Sequence, residues 1–418
     1  MTAEYASTPG EGAPSAHRWR HTIVLAVIIG VTTGYVVAGF ERLSVEVLFD
    51  RITQLPLWCI AIAPSVGLTL AAVIRVTIGR GVGAATADEY LHAFHDPAHR
   101  LDVRGGISRL AAAVATLGAG APMGLEGPSL FAGSTMGALL HRRLPTRWRP
   151  EDARTLLVAG AAAGVAAIFK APATGVVFAL EVPYRDDLAR RMLLPCLVAA
   201  STAYLAFTSV NGTTPLFQIA GEATFSFADI AGSVALGLAA GLVARGFAAL
   251  IRGAKSFSTR SPWLRVPLAG GVLAVLFVIG RIAAGENLAV GSGYGVIAWA
   301  LTDNRGIGIL AVILAVRCAG TAAAVAGGGS GGLFIPLVVG GTLLGRLTAA
   351  IVSSGDPTLF TVVGAAAFLG AGYRVPLAGV VFIAESTGRP GFVVPGLLAA
   401  VAAELVMGKS SVTAYQRG

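Results

Sequence analysis

The sequence predicts an all-α integral membrane protein built from two related halves, each with a helix broken inside the membrane. Three observations carry this. The 418 residues are 55% hydrophobic and only 13% charged, with mean hydropathy +0.74, whereas soluble domains carry about 25% charged residues. Apolar stretches fill the chain, and several exceed the ~20 residues that one span needs. A block at 160–181 returns at 364–385.

Residues 1–21 hold Pro9, Gly10, Glu11, Gly12 and Pro14 and read as a polar, disordered tail, not a cleavable leader. The first half, 22–210, contains apolar stretches at 22–40, 56–77, 107–140, 155–182 and 192–209. The second, 228–418, contains those at 228–251, 266–285, 289–301, 307–353, 358–386 and 391–407. The longest hold Gly and Pro, so they are expected to be helix pairs or helices interrupted at mid-depth. No long soluble segment follows the last stretch within these residues.

The repeat joins the halves. "GAAAGVAAIFKAPATGVVFALE" (160–181) and "GAAAFLGAGYRVPLAGVVFIAE" (364–385) align at an offset of 204. They share Pro172 with Pro376, Glu181 with Glu385 and a basic residue, Lys170 with Arg374. Upstream the offset becomes 208, matching Gly124, Pro128, Gly133 and Gly137 to Gly332, Pro336, Gly341 and Gly345. Broken helices at corresponding places in two halves are a transporter pattern. Identity alone does not say whether the halves run parallel or inverted.

The net charge of +9 falls in loops such as 141–154, 184–191 and 252–265, as expected for basic loops facing the cytoplasm. These loops lack the aromatic interleaving of a nucleic-acid surface, so no nucleic-acid partner is expected. Cys59, Cys196 and Cys318 lie far apart in apolar segments and show no redox spacing. No His/Cys/Asp/Glu cluster has ligand spacing, so neither a metal nor a cofactor is expected.

Glu126 is the one ionisable residue well inside the stretch 107–140, and Gly124, Gly127 and Pro128 bracket it. A carboxylate in hydrocarbon is costly, which marks it for function. A helix starting there exposes backbone N–H groups without intrahelical acceptors and a partial positive charge. An anion satisfies both. Two such starts, one per half, would strip water from an anion without a full positive charge that would hold it too tightly. The Glu126 carboxylate competes for the same donors. Charged it closes the path; protonated it swings away. The bland alternative is a glutamate capping its own helix.

At these residues the chain resembles the chloride channel (ClC) family of anion channels and proton/chloride antiporters. "GLEGP" (124–128) is similar to that family's gate element, and "GGGSGGLFIP" (327–336) to its Gly-x-Phe-x-Pro element. The stretch 161–181, "GSGYGVIAWAL" (291–301) and the tail "GKSSVTAYQRG" (408–418) also resemble family segments, the tail resembling its last pore helix. The resemblance implies inverted repeats, a homodimer in the cell membrane and one anion pore per subunit. It implies that Glu126 is the gate and that the amides of Leu333 and Phe334 hold the anion, with Gly124, Leu125, Gly127, Gly332 and Ile335 completing the two turns. The family's coordinating serine falls on Val82 and its coordinating tyrosine on Val412, with Tyr415 one helical turn on as a substitute. Fluoride or nitrate is therefore an alternative to chloride. The family's inner proton carboxylate falls on Val182, next to Glu181, which argues for weak or absent proton coupling. The basic residue of the gate element is Leu125, and Lys170 is a candidate to restore a positive field.

Rival readings need more than the sequence offers. "GGSGG" (328–332) fits a serine nucleophile motif, but all six histidines lie at or before His141, in the tail or polar loops. "GSGYG" has the letters of a potassium filter, which needs four copies around one axis. A passive membrane scaffold needs no glutamate at a helix break.

Overall fold

The computed structural model describes residues 16–214, 217, 225–302, 305–352 and 357–418. The helices of the first half are α1 (Ala16–Arg42), α2 (Asp50–Thr53), α3 (Leu57–Thr77), α4 (Ala87–His95), α5 (Val103–Gly118), α6 (Glu126–Arg143), α7 (Arg154–Phe169), α8 (Pro172–Glu181) and α9 (Leu193–Asn211). Those of the second are α10 (Phe227–Phe257), α11 (Pro262–Ala284), α12 (Tyr294–Thr302), α13 (Ile307–Ala326), α14 (Phe334–Ile351), α15 (Thr358–Tyr373), α16 (Pro376–Thr387) and α17 (Val393–Met407). The first helix begins at Ala16, inside the stretch expected as tail; residues 1–15 lie outside the described residues. Among the described residues eight helices are long and apolar enough to cross a membrane. Leu242, Leu405 and Ile282 are 65%, 78% and 81% exposed, an apolar surface that suits lipid and not water. This is a multi-pass integral membrane protein.

Each overlong stretch resolves into two helices. Residues 107–140 become most of α5 and α6, 155–182 become α7 and α8, 307–353 become α13 and α14, and 358–386 become α15 and α16. The joints after α7 and α15 are matched. Lys170 (φ 54°) and Arg374 (φ 59°) both stand in the left-handed conformation as C-caps, and Pro172 and Pro376 open the next helices. Ala171 N–H donates to the Ala166 carbonyl at 3.1 Å and Val375 N–H to that of Gly370 at 2.8 Å, closing the helix ends.

Packing repeats too. α6 lies on α7 as α14 lies on α15, and α1 on α9 as α10 on α17. The matched glycines explain the closeness. A Cβ on Gly133 would stand 2.0 Å from the Gly160 carbonyl oxygen, and one on Gly341 would stand 2.2 Å from that of Gly364. Small residues let backbones touch where lipid supplies no hydrophobic drive.

The halves meet head to head. Gly124 N–H donates to the Gly332 carbonyl at 2.9 Å and Gly332 N–H to that of Gly124 at 2.7 Å, an antiparallel pair just before α6 and α14. Two helices that start at one point and run apart have opposite directions, so the repeats are inverted. A second contact between the halves is also reciprocal. Glu181 accepts from Leu377 and Ala378 N–H (3.1 and 2.8 Å) at the start of α16, and Glu385 accepts from Ala173 and Thr174 N–H (3.0 and 2.8 Å) at the start of α8.

Candidate functional site

The two breaks place a carboxylate of one half on the helix start of the other. Glu126, the first residue of α6, is 2% exposed. Its Oε1 accepts from Phe334 N–H at 2.7 Å and from Ile335 N–H at 3.4 Å, in the first turn of α14. Its Oε2 has no hydrogen-bond partner. Gly332 and Gly124 keep this approach open: a Cβ on either would stand 2.1 Å or less from a Glu126 carboxylate oxygen. Pro128 and Pro336 stand in the first turns of α6 and α14, where their missing N–H costs least.

Buried arginines hold the turns that precede α14 and α12. Arg75 from α3 donates to the Gly328 carbonyl at 2.5 Å and to Ser330 Oγ at 3.1 Å, fixing the glycine-rich turn before α14. Arg317 from α13 donates to the carbonyls of Gly291 (3.0 Å) and Ser292 (2.9 Å), fixing the "GSGYG" turn. Charge buried in this way is tied to carbonyl oxygens and leaves the turns little freedom.

A cavity of about 240 Å³ opens beside the start of α14. Thr86, Met123, Lys255, Leu333, Tyr373 and Thr413 are among the residues that line it. Lys255 pairs with Asp88 at 2.5 Å and donates to the Val412 carbonyl at 2.8 Å, so its ammonium is partly neutralised. Tyr373, 2% exposed, accepts a long bond from Leu333 N–H at 3.4 Å.

The structure thus brings Gly124, Leu125, Glu126, Gly127, Gly332, Leu333, Phe334 and Ile335 together. It does not bring the other candidates there. Val82 is half-buried against Gly79 and does not line the cavity; Thr86, four residues on, does, and its Oγ1 would stand 2.6 Å from a Cβ on Gly127. Residues 408–418 form turns and not the expected pore helix, because their N–H groups bond elsewhere. Val412 N–H donates to the Gly372 carbonyl at 2.9 Å, and Ala414 N–H to Asp88 Oδ1 at 3.0 Å. Val412 is buried beside Lys255, while Tyr415 is half exposed (52%) and stacks on His92 at 4.5 Å, away from the site. With no helix between them, one-turn spacing does not put Tyr415 in place of Val412. The Lys170 ammonium donates to the carbonyls of Asn211 and Thr214 (3.2 and 3.3 Å), not toward Glu126.

Four hydroxyl-bearing residues line the cavity, Thr86, Ser258, Tyr373 and Thr413, and the sequence reading singled out none of them. Thr86 comes three residues after Gly83 and opens α4 as its N-cap, which is a readable sign. Tyr373 occupies the repeat position of Phe169, so its hydroxyl is the one chemical difference between two matched rings. Among the described residues, no group of three or more His, Cys, Asp or Glu side chains is arranged to hold a metal ion.

Comparison with known proteins bears on the family and the fold. The "H(+)/Cl(-) exchange transporter ClcA" of Yersinia pestis bv. Antiqua (strain Angola) is 26% identical over 405 residues, covering 92% of this chain and 84% of its own length. That of Salmonella paratyphi A is 28% identical over 308 residues, covering 70% and 63%. The solved structure of a CLC-type fluoride/proton antiporter superposes with TM-score 0.84 at 20% identity, covering 97% of this chain and 100% of that one. A slow cyanobacterial Cl-/H+ antiporter superposes with TM-score 0.80 at 19% identity, covering 96% of both chains. These two share the fold. The pattern that describes the voltage gated chloride channel family matches residues 66–408, most of the sequence and both helix breaks, and on that ground the chain belongs to this family.

Proposed function

We propose that the protein carries a small inorganic anion, chloride first, across the cell membrane through a pathway that Glu126 closes. One observation supports this above the rest: Glu126 Oε1 sits on the Phe334 and Ile335 amides, where an anion would be held. A charged carboxylate outcompetes the anion for these donors. Protonation removes the charge and the reason to stay. Fluoride is the alternative cargo, and the fluoride/proton antiporter with the same fold favours it. Ser330, the only serine in the nucleophile-like motif, accepts from Arg75, which suits a turn support and not catalysis.

Two modes of transport remain distinct. Passive flow follows from Val182 and from Glu181, whose two oxygens are spent on the α16 amides. Proton-coupled exchange is favoured by the names of the relatives. In either mode the functional unit is proposed to be a homodimer with one pathway per subunit.

The test is anion efflux from liposomes of purified protein, measured against external pH. Wild-type flux is expected to rise on acidification, and Glu126→Gln, which mimics the protonated form, to be fast and pH-insensitive. A Gln variant that keeps the wild-type pH dependence overturns the gate.

A further inference from the structure

Anything that displaces Glu126 from the α14 amides lies next to a buried phenol. The Tyr373 oxygen stands 3.4 Å from Leu333 N, at the residue just before α14, and it borders the cavity. It accepts that bond, but among the described residues its own O–H donates to nothing. The oxygen is not free to swing away. The ring meets Phe178 edge-on (centroids 5.4 Å, 85°), and the Tyr373 carbonyl takes a hydrogen bond from Gln416 Nε2 at 2.8 Å.

Packing does not explain the hydroxyl. The matched position in the other half is Phe169, which packs on Phe334 (centroids 4.4 Å) with no oxygen. A phenylalanine therefore fills this kind of site, and the oxygen at Tyr373 is an addition on the cavity side alone. Two donors converge there: an O–H with no acceptor among the described residues and an N–H whose hydrogen bond is long. An uncharged donor pair of this sort suits an anion, because it supplies hydrogen bonds without the full charge that would trap it.

We propose that Tyr373 is an anion ligand: its O–H and the Leu333 N–H together hold the anion at the cavity end of α14, and the phenol sets which anion is preferred. This rests on the reading of the cavity as an anion pathway. A compact halide receives both donors on one atom. Planar nitrate spreads its charge over three oxygens and gains less from the pair.

Tyr373→Phe removes the oxygen and keeps the ring. Chloride affinity of the purified variant by calorimetry is expected to fall roughly ten-fold, the loss of one hydrogen bond to a charged group. The ratio of chloride to nitrate flux from liposomes is expected to fall with it, a change that a packing role would not produce. Unchanged affinity and an unchanged ratio overturn the proposal. Wild-type crystals soaked in bromide test it without a variant. An anomalous peak within hydrogen-bond reach of Tyr373 Oη supports it, and a peak elsewhere in the cavity, or none, overturns it. If the wild type moves no anion at all, the transport reading falls. If it moves anions and Tyr373→Phe behaves identically, only this inference falls.

Discussion

Val82 and Thr86 lie four residues apart, and only one of them reaches the cavity. Alignment by motif put the lost hydroxyl at Val82. The backbone turns through Gly81 (φ 88°) and points Val82 at Gly79, while Thr86 comes up against Gly127. Val82→Ser is accordingly expected to leave chloride affinity unchanged, and Thr86→Val to weaken it by about 1 kcal/mol, a neutral hydrogen bond's worth. Calorimetry on both variants checks this, and the opposite order would restore Val82 to the site. Glu126 was legible because a lone carboxylate between glycines in an apolar run has few structural uses. Tyr415 was misplaced because its position relied on a helix that the tail does not form. Tyr373 was legible only as a difference between repeats, Phe169 against Tyr373, and composition cannot weigh a single oxygen.

At the scale of elements, length and Gly/Pro content located all four helix pairs, since a span cannot absorb 34 or 47 residues unbroken. What holds the turns was not legible. Arg75 and Arg317 read as charges inside apolar helices, and their carbonyl partners lie 253 and 26 residues away, respectively. The matched glycines carry a testable load. Gly133→Ala and Gly341→Ala each drive a methyl to within 2.0 and 2.2 Å of a backbone oxygen that cannot rotate aside. Separating α6 from α7, or α14 from α15, is expected to cost about 1–3 kcal/mol, as overpacking does. Thermal unfolding in detergent should show both variants melting below wild type by similar amounts. An undisturbed melting temperature would mean that the helices are not in contact there.

For the whole molecule, the repeat was visible in the letters, its inversion was implied by the family resemblance, and the meeting of the two helix starts displays it. Proton coupling is a property at this scale, since it needs a route from Glu126 to the far side. Val182 supplies no carboxylate, and the neighbouring Glu181 is held by Leu377 and Ala378. The expected outcome in planar bilayers is a reversal potential that follows the chloride gradient and is moved little by a pH gradient. A clear shift with pH, lost in Glu126→Gln, would establish exchange and refute passive flow while keeping Glu126 as the gate.

The Gly124–Gly332 pair sits where the two halves face each other, and its two bonds are 2.9 and 2.7 Å long. Swinging one half away from the other would tear both bonds between buried backbone groups. The halves are in effect riveted at their centre. A protein fastened there does not breathe open on alternate faces like a pair of jaws. On the proposed reading, in which the swing of the Glu126 side chain admits the cargo, the lipid around it need not rearrange at each turnover, and thick or stiff bilayers should slow it little.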